Sequence, residues 1–173
     1  MTHRIYAAIA SLALAFVATP AMAQFQEEDY ELTLSGIAFT DVNLDSTNFS
    51  INGSLGYFFS DQFEAGLRQG FSYSDLGSSN SNGNTAIFAD YHFGEPGNEF
   101  QPFIGASIGY AYGDTTNDSF FAGPEAGVKY FFDEDWFVFG QLDYQFFFED
   151  GDEADEAIDD GSFIFRLGLG VLL

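Results

Sequence analysis

His92 and the polar residues near it are the residue types in this chain that could support catalysis. His92 is the only histidine after residue 23, and Asp90 lies two residues before it. Residues two apart on a strand share a face, so both side chains would meet a serine on a neighbouring strand, as in a Ser–His–acid acyl hydrolase or transferase. Ser72 and Ser74 are the candidate serines, but the strand pattern places them toward the opposite end of the strands. We therefore expect a structural hydrogen bond at His92 and predict no enzyme.

The cations form a second set of residues with a chemical consequence. After residue 23 the sequence contains three cations, each with acidic residues on the same predicted face. A charge that faces lipid at mid-depth costs about 2–4 kcal/mol, so these cations are expected on an inner face, paired with acids. The expected pairs are Arg68 with Asp90 or Glu64, Arg166 with Asp143, and Lys129 with Glu125. The predicted structural network in the lumen comprises Glu64, Arg68, Asp90, His92, Glu125, Lys129, Asp143 and Arg166.

The segment 149–160 contains eight acids in twelve residues. A solvated loop explains it most simply, and weak divalent-cation binding is the alternative. The segment 41–52 begins D-x-N-x-D, but Ser46 stands where an EF-hand loop needs glycine and Asn52 where it needs glutamate. We therefore predict no metal site and no cofactor, apart from this weak cation binding at acidic loops.

Charge and composition exclude several classes of protein. The net charge is −23, and it becomes −24 if Arg4 is removed with a signal peptide. Such an acidic chain lacks the positive surface that nucleic-acid binding requires. Aromatic residues make up 19% of the sequence, which is unlike a disordered acidic chain. The absence of cysteine excludes disulfides and a lipoprotein anchor.

The first 23 residues have the pattern of a secretory signal peptide. A cationic start at Arg4 precedes a short apolar stretch, and the small-residue motif Ala21–Ala23 follows. The stretch is short for a membrane-spanning helix. The predicted organisation is a signal peptide at 1–23 and a single domain at 24–173.

The rest of the sequence alternates between apolar and polar residues with a period of two, which predicts eight strands. In one example, Phe63, Ala65 and Leu67 alternate with Glu64, Gly66 and Arg68. The connections at 60–62 and 133–135 are tight, while those at 41–48, 75–84, 113–119 and 149–161 are longer and polar. The connection at 94–101 belongs to the short series but is not short. The first strand, near 30–39, changes phase around Gly36, which suggests a bulge.

Aromatic residues lie near both ends of these strands, with aliphatic residues between them, as in a membrane-spanning barrel. Tyr91, Phe93 and Phe103 are among those expected near the short turns. The polar face is small and rich in glycine, whereas a soluble lipocalin-like barrel would have an exterior rich in lysine and glutamate. Small side chains suit the narrow interior of eight strands. The apolar face is therefore predicted to meet lipid.

Four segments carry a resemblance to a known family: "INGSLGYFFSDQFEAGLRQGFSYS", "QPFIGASIGYAYGD", "GPEAGVKYFFDEDWFVFGQLDYQFF" and "FRLGLGVLL". They resemble the small eight-stranded outer-membrane β-barrels, which are OmpA-transmembrane-like, porin-family domains. The resemblance agrees with an all-β, membrane-spanning, antiparallel up-and-down barrel in the outer membrane of a Gram-negative bacterium.

Family membership would leave the function open among three classes. The expected one is a non-enzymatic structural or surface-interaction protein with a side-chain-filled lumen and acidic extracellular loops. The alternative is a narrow porin-like channel for small or hydrophobic solutes, and a lipid-modifying enzyme comes third. The expected partners are outer-membrane lipid and lipopolysaccharide, the barrel-assembly machinery during insertion, and an unidentified extracellular partner, with no nucleic acid.

Overall fold

A computed structural model describes residues 25–40, 47–75, 79–95, 97–114, 118–148 and 161–173, without the side chains of 37–40 and 47. The predicted signal peptide at 1–23 and the acidic segment 149–160 lie outside these residues. The boundary of the predicted domain at residue 24 lies outside them as well.

The described residues form eight strands that close into a barrel in chain order, with each strand antiparallel to the next and β8 paired with β1. The strands are β1 (Tyr30–Thr40), β2 (Thr47–Ser60), β3 (Phe63–Asp75), β4 (Ser79–His92), β5 (Phe100–Gly113), β6 (Ser119–Phe131), β7 (Trp136–Phe148) and β8 (Ser162–Leu172). Each has 11 to 14 residues, enough to cross a bilayer at a tilt. No helix within the described ranges is long and apolar enough to cross one. The predicted fold is confirmed.

Two details of the strand prediction were wrong. Residues 79–84 were assigned to a long loop, but they belong to β4 and pair with β3. Their Asn, Ser and Gly residues lack the apolar alternation because a strand that extends beyond the lipid needs no apolar face. The bulge expected near Gly36 is absent from the pairing of β1 with β2, which runs without interruption from Tyr30 to Thr40. A register shift occurs instead between β2 and β3, at Phe58 and Ser60.

The two faces of the barrel differ in where they place charge. Outward side chains are apolar and exposed, such as Leu67 at 58% and Leu167 at 77%, as expected for a surface that meets lipid. Inward side chains include the charged residues, which are buried. We call the end at which β1 begins and β8 ends, and which carries the tight turns, the turn end, and the opposite end the loop end. Short turns of outer-membrane barrels are periplasmic, which predicts that the turn end of such a barrel faces the periplasm.

Outward aromatic residues lie at both ends of the barrel, as predicted. At the turn end, Tyr30 packs against Tyr57 at 5.1 Å between ring centroids, and at the loop end Tyr110 packs against Phe120 at 4.9 Å. Phe103 was expected in this outward set, but it is buried inside the barrel. Pro102 and Ile104 face outward on β5, so the residue between them must face inward.

Residues 25–29 fold across the turn end before β1 begins. The backbone N–H of Glu28 donates to the carbonyl of Phe58 at 2.9 Å, and the N–H of Phe58 donates to the carbonyl of Asp29 at 2.9 Å. Glu28 has a positive φ of 81°, which reverses the chain at this point. The reversal inserts the Phe25 ring into the mouth of the barrel, where it stacks on Phe58 with centroids 4.5 Å apart.

Glycines on the inner face lie opposite large aromatic side chains. A Cβ on each of five glycines would approach a ring atom of the paired phenylalanine to less than 3.0 Å. The pairs are Gly66 with Phe88, Phe103 with Gly127, Gly109 with Phe121, Phe139 with Gly168, and Phe137 with Gly170. The small residues of the inner face are therefore the space into which neighbouring rings fit.

Candidate functional site

The lumen is the part of the barrel in which polar chemistry is concentrated. Its buried titratable residues are Glu31, Glu64, Arg68, Asp90, His92, Glu125, Lys129, Asp143 and Arg166. All eight residues of the predicted network are in this set, and Glu31 is the addition. Alternation along the strands points these side chains inward because every neighbouring position faces lipid. The described lumen therefore holds five carboxyl groups and three permanent cations.

Lys129 is the centre of the charged group near the turn end. Its Nζ donates to Glu31 Oε2 at 2.5 Å and to Glu64 Oε2 at 3.1 Å. The expected partner, Glu125, is bound elsewhere. Four rings surround the ammonium at 5.2–5.7 Å from Nζ to the centroid, and they belong to Phe25, Phe58, Phe103 and Phe137. We call Lys129, Glu31, Glu64 and these four rings the Lys129 cluster. Its charge is satisfied by carboxylates and ring faces together.

Arg68 forms a bidentate ion pair across the lumen. Its Nη1 and Nη2 donate to Glu125 Oε2 and Oε1 at 2.9 and 3.0 Å. The guanidinium also lies over the Phe88 ring, with 4.8 Å from Cζ to the centroid. The expected partners were Asp90 on the adjacent strand and Glu64 on the same strand, so the pairing was wrong although Arg68 was placed inside the barrel. The two parallel hydrogen bonds fix both side chains in one geometry.

Arg166 pairs with Asp143, as expected from the register of β7 and β8. The other oxygen of Asp143 accepts a hydrogen bond from Gln141 Nε2 at 2.6 Å. We call Arg68, Glu125, Asp90, Arg166 and Asp143 the Arg68 cluster.

A cavity of about 20 Å³ lies between the two clusters, with Asp90, Lys129 and Arg166 among its lining residues. Such a volume admits about one water molecule. The lumen between the clusters is therefore nearly filled.

His92 packs among aromatic rings at the turn end. Its ring lies among Phe25, Phe58 and Phe103, with centroids 4.6–5.5 Å apart. Neither ring nitrogen has a hydrogen-bond partner among the described residues, and Nε2 lies 3.7 Å from Glu64 Oε2, so the hydrogen bond predicted at His92 is not formed with them. Ser72 pairs with Asn82 on β4, ten residues before His92, which is about 33 Å along the strand. The structure therefore brings no serine from β3 to this histidine.

Known proteins share this barrel architecture. A family model described as "Outer membrane protein beta-barrel domain" matches residues 9–171. The chain belongs to this outer-membrane β-barrel family. Its localisation in the bacterial outer membrane is confirmed by this match together with the similar proteins.

One curated relative and two solved structures, all from Pseudomonas aeruginosa, illustrate the similarity. "Outer membrane porin F" is 32% identical over 174 residues, covering 89% of this chain and 48% of the relative, so the chain spans about half the length of the curated relative it matches. The solved N-terminal β-barrel domain of OprF has a TM-score of 0.58 at 23% identity, covering 86% of this chain and 98% of that one. The solved OprG barrel has a TM-score of 0.54 at 10% identity, covering 86% and 97%. The solved structures support the fold alone.

Sequence reasoning missed two parts of the lumen of this family member. Glu31 was not included, although Tyr30, Leu32 and Leu34 face outward and the same alternation turns Glu31 inward. The inward rings of Phe58 and Phe131 were also missed, since each stands in a "YFF" run in which three aromatic residues obscure the period of two. Phe25 lies before the first strand, where no periodic signal exists.

No group of three or more His, Asp or Glu side chains in the described part of the chain is arranged to hold a metal ion. The acidic segment 149–160 lies outside that part. The predicted weak cation binding by the acidic loops stays a prediction.

Proposed function

We propose that this protein is a non-enzymatic structural barrel of the outer membrane, with a lumen closed to solutes and loops available for interactions at the cell surface. The observation that carries the proposal is the closure of the lumen by two successive charged clusters and by the Phe25 ring at the turn end. No cofactor is needed for such a role.

The packing of the lumen supports the absence of a permeation path. The cavity of about 20 Å³ is too small for a hydrated ion or a sugar. Below it, the ring of Phe25 contacts Phe58 and Phe131, both of which are fully buried. An ion crossing this region would have to displace paired charges and aromatic side chains together.

Conductance in planar lipid bilayers tests this proposal. The refolded protein should give no unitary steps under conditions in which a 16-stranded porin, added as a control, conducts. Phe25→Ala and Phe59→Ala form a matched pair, because the first removes a ring from the lumen and the second one from the lipid-facing surface. Reproducible steps from the unmodified protein that are unchanged in both variants would overturn the closed-lumen proposal.

A narrow porin-like channel is the second candidate. The 32% identical relative is named a porin, which favours it. The described lumen also has two more carboxyl groups than permanent cations, so an open form would attract cations. Any current should therefore be cation-selective, which the reversal potential in a salt gradient measures. An anion-selective current would contradict this assignment.

Absence of enzymatic activity is part of the proposal. The packing of His92 among three phenylalanine rings supports it. Mass analysis of lipid A from cells with the unmodified protein and with His92→Ala should give identical profiles. A modification of lipid A that is lost in the variant would identify an enzyme instead.

The proposed partners are outer-membrane lipid, lipopolysaccharide, the barrel-assembly machinery during insertion and an extracellular partner of the loops. Calcium at the acidic segment 149–160 would connect the barrel to lipopolysaccharide phosphates. A thermal melt with calcium or with chelator tests this, using as control a variant in which the eight acids of the segment become amides. An identical midpoint in calcium and chelator would exclude the cation. A surface pull-down would then search for the extracellular partner.

A further inference from the structure

Three polar side chains lie together on the lipid-facing surface, where their neighbours are apolar. Gln69 and Thr85 are exposed and Tyr112 is 38% exposed, on the outward face of β3, β4 and β5. Phe71 is the next outward residue toward the loop end, and Leu67 the next toward the turn end. Gln69 and Thr85 therefore lie just inside the loop-end aromatic ring, where the headgroup region gives way to hydrocarbon, and Tyr112 lies within that ring, level with Phe71. We call these three residues the polar trio.

The polar trio is linked by hydrogen bonds but retains unused capacity. Gln69 Nε2 donates to Tyr112 Oη and to the Gly70 carbonyl, both at 3.0 Å, and Thr85 Oγ1 donates to Gln69 Oε1 at 2.7 Å. The hydroxyl of Tyr112 lies 3.5 Å from Thr85 Oγ1, which is long for a hydrogen bond. The phenol donates only through this long contact, so it can turn toward a ligand, and several oxygen lone pairs are unused. Unsatisfied polar atoms are costly beside hydrocarbon.

A groove of about 380 Å³ extends from the polar trio along the outside of the barrel. Gln69 and Thr85 line its polar part, and Leu32, Leu55 and Leu67 line its apolar part, one residue pair nearer the turn end. Gly53, directly opposite Gln69, leaves the floor of the groove open. Gly83 provides space for the Tyr112 ring, since a Cβ there would come within 3 Å of it.

We propose that this groove binds one 3-hydroxyacyl chain of lipid A, with the hydroxyl and the linkage carbonyl on the polar trio and the hydrocarbon over Gly53 between the leucines. The loop end faces the outer leaflet, so an acyl chain entering from the headgroup side runs in the direction of the groove.

The free capacity of the polar trio distinguishes this ligand from other lipids. The spare lone pairs need a donor at the depth of the acyl linkage, and a 3-hydroxyl group supplies one together with an acceptor for the phenol. The ester linkages of a diacyl phospholipid supply acceptors only. Phosphate is not the recognised group, since Arg68, Lys129 and Arg166 are buried in the lumen and no other cation occurs after residue 23. The site depends on lipid contact alone, and a conducting lumen would leave it unchanged.

Native mass spectrometry of the refolded barrel, released from micelles that contain lipid A and phosphatidylethanolamine in equal amounts, tests the proposal. The unmodified protein should retain one lipid A in preference to the phospholipid. Gly53→Leu should reduce this retention about tenfold by filling the groove. Its fold should be kept, because the nearest atom to a Cβ at this position is the Thr33 carbonyl oxygen at 3.6 Å. The triple variant Gln69→Leu, Thr85→Val, Tyr112→Phe should lose the preference for lipid A.

Two matched controls keep these results interpretable. Gly140→Leu places the same side chain on the lipid-facing side of β7, where the nearest atom to a Cβ is the tip of Leu167 at 3.4 Å. Tyr91→Phe removes a lipid-facing phenol near the turn end, where it donates to Gln62. Both should retain lipid A as the unmodified protein does. Equal retention in Gly53→Leu and Gly140→Leu, equal retention of the two lipids, or a protein dimer abolished by Gly53→Leu would each overturn the proposal.

Discussion

The two charged clusters of the lumen stabilise buried cations with different chemistry. In the Lys129 cluster, a compact ammonium contacts two carboxylates and the faces of four rings. In the Arg68 cluster, planar guanidinium groups each take a carboxylate partner, and one of them also lies over a single ring. The difference follows from position, because the Lys129 cluster lies beneath the apolar cover formed by Phe25, whereas the Arg68 cluster lies farther from it.

This comparison shows how a chain with so few cations places each of them. A point charge with three donors suits a site enclosed by rings, where several weak contacts replace water. A forked guanidinium suits a wider part of the lumen, where one bidentate bond fixes the geometry. The clusters should therefore respond differently when single residues are changed.

Lys129→Met should have the largest effect. It leaves Glu31 and Glu64 buried without a cation, which costs about 3–5 kcal/mol of unfolding free energy. Urea titration in detergent micelles measures the loss. The triple variant Lys129→Met, Glu31→Gln, Glu64→Gln should recover part of the lost stability. If Lys129→Met alone were as stable as the unmodified protein, the two carboxyl groups would not need a cation to offset their charge.

Phe58→Ala should lower the unfolding free energy by about 3 kcal/mol, because it opens a cavity beneath Phe25. Phe59→Ala, one residue away, removes a ring that is 56% exposed to lipid while Phe58 is 0% exposed. Its effect should be about 1 kcal/mol or less. The same urea titration compares them, and equal losses would contradict the assignment of Phe58 to the Lys129 cluster.

Gly168→Ala should cost about 2 kcal/mol, since the new Cβ would lie 2.4 Å from the Leu34 carbonyl oxygen and 2.6 Å from the Phe139 ring. Gly53→Ala, on the lipid-facing side, should be neutral or stabilising, because its nearest neighbour would be at 3.6 Å. Thermal melting of both variants measures the difference. Equal melting midpoints for Gly168→Ala and Gly53→Ala would mean that the atoms around Gly168, including the Phe139 ring, can shift to make room for the new Cβ.

Arg68→Lys should cost about 1 kcal/mol, because one donor group replaces the two that bind Glu125. The charge is kept, so the effect should be well below that of Lys129→Met. A loss as large as that of Lys129→Met would show that the geometry of the guanidinium, rather than its charge, holds the cluster together.

Asp114 should give the smallest effect, and one that depends on pH. The backbone N–H and the hydroxyl of Ser81 donate to this exposed carboxylate at 2.9 and 3.0 Å, and these bonds hold the pKa of Asp114 below its ordinary value of 3.8. Because the folded pKa is depressed, the contribution to stability is present above pH 3.8 and is lost as the pH falls through the folded pKa. Asp114→Asn should remove this part of the acid-induced loss. If the urea midpoints of the unmodified protein and of Asp114→Asn coincided at both pH 6 and pH 2.5, the prediction would be contradicted.

Alternation along the strands was sufficient to predict the barrel and to place the charged residues in its lumen. The reason is physical, since lipid on one face leaves a charge a single side to occupy, as Arg166 between Phe165 and Leu167 illustrates. The partner of Arg68 could not be predicted in this way. Glu125 is 57 residues away and lies across the barrel, so the contact depends on closure and stagger of the whole sheet.

The contacts at the turn end could not be predicted from the sequence for another reason. Phe25 reaches the lumen through a chain reversal at Glu28, a residue type that rarely adopts a positive φ. Backbone hydrogen bonds that join Glu28 and Asp29 to Phe58 maintain the reversal, and they require β2 to lie beside this segment.

The opposition of phenylalanine and glycine on β7 and β8 has a consequence for how accurately the barrel forms. In the native pairing, Phe137 and Phe139 face Gly170 and Gly168. A slip of β8 by two residues keeps every side chain on its correct face, so lipid contact alone would not reject it. In one direction, however, the slip sets Phe137 against Leu172, and in the other it sets Phe139 against Arg166. If β8 pairs in a shifted register, a phenylalanine ring inside the barrel therefore faces a large side chain instead of a glycine. This steric conflict disfavours the shifted register, so the glycines favour correct assembly.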